Sequence, residues 1–426
     1  MFIPNLTKLL LAIVYPALLF VSAHFGDRNN LSVILVVSII LPLYFYFLFD
    51  LTSLFENRFY LLFLYGILLR LVVVGSPALW SDDIYRYLFD AKICLQGISP
   101  YHYTPEGFAK LSGLSHLGLE SYLSKMNSPN YYSVYPLLLQ WFFSLGTILG
   151  TFFGSVFFGI QALFFVLDIL NLFLIRKLYP KSSNASYWIY FGNPIVILEG
   201  ISQMHPELLL VTGALLFFLS QSNGLRIFSF FLLTQLKFNA FLFILGFRRD
   251  RFTWMILFFV SILSLVLWKV TVFSDLVSQG SAGIGLFFHS FRFAGILEPF
   301  FYFLLYPFQG EYLSGILSFL ALGSIYIFCL KKNFLTGFGF PDQFFILYTL
   351  FLLFSPVIHP WYWILWVLFT IGKEKIETFV ASVSFLAFLS YGMYVYNGFV
   401  YIHWVVSILV LGYYGNKQIN YLRKTT

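Results

Sequence analysis

The stretch Trp80-Ser81-Asp82-Asp83-Ile84-Tyr85-Arg86-Tyr87-Leu88-Phe89-Asp90-Ala91-Lys92-Ile93-Cys94-Leu95-Gln96-Gly97, continuing through Pro100 to Pro105, is the polar, charge-dense passage of a very apolar chain. Ser81 is a favoured N-cap residue, Asp82 and Asp83 would fill a first turn where carboxylates complement the helix dipole, and Gly97 with Pro100 supplies a stop. This predicts a capped helix over residues 82–96. On it Asp83, Tyr87 and Asp90 share a face, while Asp82 stands one turn from Arg86, close enough to pair with it. Acidic and basic groups thus gather at one helix end.

Outward from this stretch the character reverses. Of the 426 residues 60% are hydrophobic and 10% charged, with a mean hydropathy of +0.84; a soluble domain of that composition would expose large apolar patches. A bilayer core roughly 30 Å thick takes about 20 apolar residues per helix, and such runs follow one another nearly end to end. A β-barrel would show alternating polarity, whereas the Phe and Leu runs here are continuous. The formal charge of +7 comes in short basic clusters between apolar runs, which membrane orientation explains without nucleic acid. Cys94 and Cys329 have no metal-like or redox spacing. The first 23 residues, with Lys8 and Val21-Ser22-Ala23, have the outline of a signal peptide but read as a first transmembrane helix, because another span follows at once.

Helices are expected near 8–23, 31–50 and 58–75, and the positive-inside rule places residues 76–131 outside as the main external loop. The apolar block 132–175, interrupted at Gly146, Gly150 and Gly154, has the length of two helices, and the basic residues after it suggest that one piece dips in without crossing. Residues 226–247 carry Lys237 at their middle between two basic ends, an arrangement that two half-helices meeting at Lys237-Phe238-Asn239 would reconcile. A second external loop is expected at 274–292, carrying His289 and Arg292. No internal repeat is evident, so residues 1–426 read as a single transmembrane domain: an all-α polytopic bundle of about 12 to 14 membrane helices.

Each candidate residue has a plain and a sharper reading. Asp82 and Asp83 are ordinary first-turn acids, or they include a general base able to accept a proton from an incoming hydroxyl. Arg86 pairs with Asp82, or holds an anion. Glu207, following His205 and Pro206, is a first-turn acid; capping does not account for His205. Lys237 within an apolar run needs a counter-charge, a water-filled cavity or a ligand anion, with Glu199 and Glu207 as candidate partners. His359 precedes Pro360 and the aromatics Trp361, Tyr362, Trp363 and Trp366, which read as an interfacial belt. The acids and histidines would admit a divalent metal, though no ligand spacing calls for one. No Walker, Rossmann or G-x-S-x-G pattern occurs in the required context, so a sugar or phosphoryl donor would have to be lipid-borne.

Ser81-Asp82-Asp83-Ile84-Tyr85-Arg86-Tyr87, then Asp90, Gly97-Ile98-Ser99-Pro100-Tyr101 and Tyr103-Thr104-Pro105, resemble the first external loop of bacterial GT-C glycosyltransferases of the polyprenyl-phosphate-sugar-dependent, mannosyltransferase-like kind. In the same order, Tyr131-Tyr132-Ser133-Val134-Tyr135-Pro136, His205-Pro206-Glu207, Lys237 and His359-Pro360-Trp361-Tyr362 resemble later motifs of that family. The family often has a second proline after the tyrosine-proline pair and one soon after the lysine; here Leu137 and Phe238-Asn239 stand instead. The resemblance implies a multi-pass protein of the bacterial inner membrane with an external, periplasmic active site. There a mannose-like hexose would pass with inversion from a polyprenyl-phosphate donor to a lipid or glycan hydroxyl. The resemblance implies a loop acid as base, favouring Asp82 though helix geometry leaves Asp83 open; because a departing lipid phosphate needs cations, Arg86, Lys237, His205 and His359 are the phosphate candidates, with Tyr87 and Glu207 as further substrate contacts. The alternative class is a transporter or flippase for a lipid-linked or anionic substrate, for which an intramembrane lysine and broken helices are equally apt.

Overall fold

A computed structural model of the protein describes residues 5–49, 52, 58–111, 118–247, 251–272, 292–306, 310–331, 340–373 and 375–425. The expected loop at 274–292, including His289, lies outside the described residues except for Arg292. Among the described residues the structure is helical, apart from an isolated bridge that pairs Phe293 and Ala294 with Val357. Of the described helices, four are long and apolar enough to cross a membrane, at Leu6–Phe25, Val156–Leu178, Arg251–Val270 and Glu377–Val395, and seven shorter apolar helices accompany them. By helix composition this is a multi-pass membrane protein.

The chain forms two compact units. The first comprises Met1–Trp80, Ile175–Ser202 and Phe288–Thr426, the second Ser81–Leu174 and Gln203–Phe287.

In the first unit α1 (Asn5–Phe25), α2 (Leu31–Phe47) and α3 (Phe59–Leu71) follow in sequence. Asn30 starts α2 by accepting the N–H groups of Ser32 at 3.0 Å and Val33 at 3.4 Å. Trp188 sits among Phe45, Tyr15 and Tyr65 and donates its indole N–H to the Phe45 carbonyl at 3.0 Å. The helix Glu377–Leu389 packs along α2. Arg70, fully buried on α3, donates to the carbonyls of Gly66 at 2.9 Å and Phe191 at 2.7 Å. Charge-assisted bonds of this kind offset the desolvation of a guanidinium within the membrane.

The second unit holds α4 (Asp83–Leu95), α5 (Pro105–Ala109), α6 (Glu120–Leu123), α7 (Leu137–Phe152) and most of α8 (Val156–Leu178). The expected helix over 82–96 is therefore present, with one correction at its start. The N-cap is Asp82 rather than Ser81, and the Asp82 side chain makes no capping bond. Ser81 Oγ instead accepts the Asp83 N–H at 3.3 Å, while the Ser81 N–H donates to Gln203 Oε1 at 3.1 Å. That bond draws the chain into the turn one residue late. The stop is as read: Gly97 has φ 76°, its N–H reaches the Cys94 carbonyl at 2.9 Å and the Ile98 N–H reaches that of Ile93 at 3.1 Å. This doubly bonded ending needs a left-handed residue, which glycine adopts without steric cost.

The block 132–175 forms two helices, α7 and α8, as its length predicts; α8 is long enough to cross a membrane and α7 is shorter. They approach through glycines. A methyl group added to Gly159 would lie 2.3 Å from the Gly146 carbonyl oxygen and 2.3 Å from the Gly150 nitrogen. The unit continues with α10 (Glu207–Leu219), α11 (Asn223–Thr234) and α12 (Arg251–Val270); α9 (Asn184–Phe191) belongs to the first unit. The expected break at Lys237 is present. Lys237 is extended (φ −157°, ψ 145°) between α11 and a 3-10 helix at Phe238–Gly246.

Candidate active site

The first turn of α4 places Asp82 and Asp83 at its open end, both half-buried, and the helix then descends into a buried face of Arg86, Tyr87, Leu88, Phe89 and Asp90. Arg86 does not use Asp82 as its ion-pair partner. Its Nε donates to Asp90 Oδ1 at 2.8 Å, and both side chains are almost wholly enclosed. The reason is directional: Asp90 lies one turn further on along the buried face, whereas Asp82 stands at the cap. Arg86 Nη1 also donates to the carbonyls of Ser128 at 3.1 Å and Tyr131 at 2.7 Å. Its Nη2 is buried without a hydrogen-bond partner.

Asp90 is equally engaged. Its Oδ2 accepts from Ser133 Oγ at 2.6 Å and from Gln140 Nε2 at 3.1 Å. Gln140 also donates to Ser133 Oγ at 2.9 Å. Neither Ser133 nor Gln140 stands out as a site candidate in the sequence. The available signal is a glutamine four residues after Pro136 in an otherwise apolar run.

Tyr87 is enclosed beside this cluster. Its ring stacks on Phe143 with centroids 4.2 Å apart and meets the edge of Tyr135 at 4.8 Å. Burial, then the neighbouring Tyr135, Asp83 and Glu207, holds the Tyr87 phenol well above its ordinary value. Burial, followed by Asp83, does the same for Tyr135. Both phenols therefore remain neutral. Asp83 is one turn before Tyr87 on the same helix face. Asp83 and Glu207 thus both act on the Tyr87 phenol.

Glu207 opens α10, and Lys237 lies at the break after α11. Their side chains form an ion pair in which Glu207 is 1% exposed and Lys237 28%. Of the two partners that the sequence offered for Lys237, Glu207 is thus the one engaged here. His205, fully buried, precedes Glu207, and Met204 before it adopts φ 61°. A methionine in the left-handed region carries backbone strain, which the surrounding packing has to hold.

Asp82, Asp83, Arg86, Tyr87, His205, Glu207 and Lys237 all fall in the second unit, and His359 falls in the first. His359 lies between the rings of Phe293, at 4.5 Å, and Trp361, at 4.2 Å. The aromatics after it are not a belt on the outer surface. Trp361, Trp363 and Trp366 are buried, and Trp366 donates to Thr349 Oγ1 at 2.9 Å, because the helix Trp363–Thr370 is enclosed on every side. Among the described residues no group of three or more His, Cys, Asp and Glu side chains is placed to hold a metal ion.

Residues 69–259, which carry every second-unit candidate, match the family model described as alpha-(1->6)-mannopyranosyltransferase, N-terminal domain. The helical membrane fold and this match define an integral-membrane glycosyltransferase of the GT-C class. Over those residues, fewer than half of the chain, it is similar to the mannosyltransferase family, whose members are hexosyltransferases. Neither a curated protein nor a solved structure matches the chain.

Proposed function

We propose that the protein transfers a mannosyl group, with inversion, from a polyprenyl-phosphate carrier to a lipid or glycan hydroxyl at the external, periplasmic face of the inner membrane, with Asp83 as general base. The acceptor oxygen bonds to the anomeric carbon as its proton passes to the Asp83 carboxylate, and the bond from that carbon to the phosphate oxygen breaks. Polyprenyl phosphate leaves with the electron pair. Such a reaction needs a base at the hydroxyl and positive charge at the departing phosphate.

The observation that carries this reading is the Glu207–Lys237 ion pair in the same unit as Asp83, which lies one turn before Tyr87 on one face of α4, with both acids raising the Tyr87 phenol. It supports Asp83 over Asp82, since Asp83 shares the Tyr87 face of α4 and acts on both phenols. Tyr87, enclosed and neutral, backs the site by holding Tyr135 beside the face that carries Asp83. Lys237, oriented by Glu207 and still partly exposed, supplies charge to the phosphate. Within the second unit His205 remains a phosphate candidate, and Arg86 has only Nη2 uncommitted. The match to a mannosyltransferase family supports a transferase over a transporter or flippase.

The test is transfer by purified protein from a panel of radiolabelled polyprenyl-phosphate sugars to lipid and glycan extracts. Release of mannose onto an acceptor, abolished by Asp83→Asn, is expected. Transport of intact donor into vesicles without transfer would sink the proposal.

A further inference from the structure

Apart from the uncommitted Nη2 of Arg86, the buried ion pair of Arg86 and Asp90 makes no hydrogen bond to a group assigned to proton or phosphate chemistry, and every bond it makes outside the pair ends on one short segment or its continuation. Asp90 Oδ2 binds Ser133 and Gln140; Arg86 Nη1 binds the carbonyls of Ser128 and Tyr131. Residues 128–136 have no regular secondary structure, so their backbone groups depend on such partners. Tyr101 adds a further tie by donating its hydroxyl to the Tyr135 carbonyl at 2.8 Å. A buried ion pair can often be replaced by apolar residues without loss of stability, so its presence calls for a role in fixing geometry.

We infer that Asp90 is a positioning residue for sugar transfer: with Arg86, Ser133 and Gln140 it clamps segment 128–135 between α4 and α7, and thereby fixes Tyr135 against Tyr87 and in register with Asp83. The inference rests on the transfer reading above for its catalytic consequence, while the clamp itself is a matter of geometry. Asp90 stands two turns after Asp83 and one after Arg86 on the same helix. One rigid element therefore carries the base, the phenol and the clamp. The segment that bears Tyr135 has no helix of its own to hold it, and its placement depends on these side chains.

The experiment compares wild type, Asp90→Asn and Asp90→Asn/Gln140→Glu as monodisperse purified proteins. In Asp90→Asn an amide N–H2 faces donors that the carboxylate accepted. In the double variant the carboxylate introduced at position 140 offers that amide an acceptor again. Limited trypsin cleavage after exposed Lys125, just before the segment, is measured against cleavage after exposed Lys110, outside it. Cleavage after Lys125 is expected to rise roughly tenfold over the Lys110 reference in Asp90→Asn and to fall back in the double variant. With polyprenyl-phosphate mannose as donor, kcat per monodisperse molecule should drop about 100-fold with donor KM nearly unchanged, and recover in the double variant. A Ser133→Ala variant, which deletes the two bonds of Ser133 Oγ but leaves the Asp90 carboxylate on Arg86 and Gln140, should move both readouts the same way by less and serves if Asp90→Asn does not fold. An unchanged cleavage ratio, or an unchanged kcat alongside a raised ratio, overturns the inference. If wild type transfers no mannose, the transfer reading fails, and the cleavage ratio alone decides whether the clamp exists.

Discussion

Glu207 and Lys237 meet as an ion pair in which the acid is wholly enclosed and the ammonium keeps about a quarter of its surface open (28% exposed). The asymmetry follows from where each sits: Glu207 heads α10 within the unit, whereas Lys237 occupies the extended link between α11 and the 3-10 helix. A lysine in an apolar run is costly alone, and a broken helix lets its side chain turn toward a partner. Glu207 Oε2 remains without a hydrogen-bond partner, so the carboxylate depends on Lys237 for compensation.

Lys237→Met should therefore destabilise the protein as well as weaken donor binding. Removing one partner of a buried pair costs about 3 to 5 kcal/mol, and partial exposure of Lys237 places the expected loss near or below the lower end. Lys237→Met/Glu207→Gln should regain most of that stability, because no unpaired charge remains, while donor affinity stays low. Melting midpoints and donor binding measured on the same preparations check this. Full recovery of donor affinity in the double variant would remove Lys237 from the phosphate site.

The two neighbouring acids at the start of α4 should behave differently. Asp83→Asn is expected to reduce kcat by about 10²- to 10⁴-fold, the range that general base catalysis supplies. Asp82→Asn should leave kcat within about threefold, since the Asp82 side chain makes no capping bond and adjacent helix positions point about 100° apart. Both variants should keep melting midpoints near that of wild type. Equal losses in kcat from the two would reopen the choice between them.

Cys94 gives a pH-dependent probe of the same helix. Burial, with Asp90 adding to it, pushes its thiol up to about 12. The folded state thus disfavours the thiolate relative to the unfolded chain. Any stability linked to this group is complete below the ordinary thiol value near 9.0 and is lost as pH rises through about 12. In a Cys329→Ser background, labelling by a thiol reagent should be slow at pH 7 and rise about tenfold per unit through pH 10, as only the thiolate reacts. A rate that levels off near pH 9 would mean an ordinary, unburied thiol.

Much of this arrangement is legible from sequence because its signals are local. Apolar runs announce helices, Gly97 announces a stop, and Lys237 announces a break, each through the chemistry of a few adjacent residues. The partner of Arg86 was not legible in the same way. Asp82 and Asp90 are both one turn away, and only the burial of the Asp90 face, set by residues 128–140, decides between them. Ser133 and Gln140 gain their meaning from the same distant packing. The tryptophans at 361, 363 and 366 misled for a related reason: an aromatic cluster has the same composition whether it faces lipid or core.

The contact between α7 and α8 offers a test of packing apart from the active site. Gly159 approaches Gly146 and Gly150 so closely that an added methyl would fall 2.3 Å from backbone atoms of the facing helix, and backbone cannot swing aside as a side chain can. Helices in membranes associate largely through such close approach of small residues. Gly159→Ala must push the pair apart and should cost at least about 1 to 3 kcal/mol, the usual penalty of overpacking. Gly224 in α11 is the matched control, since nothing lies within 4 Å of an added methyl there and no positive φ is required. Gly224→Ala should be neutral or stabilise by up to about 1 kcal/mol, because alanine loses less backbone entropy in a helix. Melting midpoints of the two variants should therefore move in opposite directions or separate by several degrees. Indistinguishable midpoints would mean that α7 and α8 do not pack through these glycines.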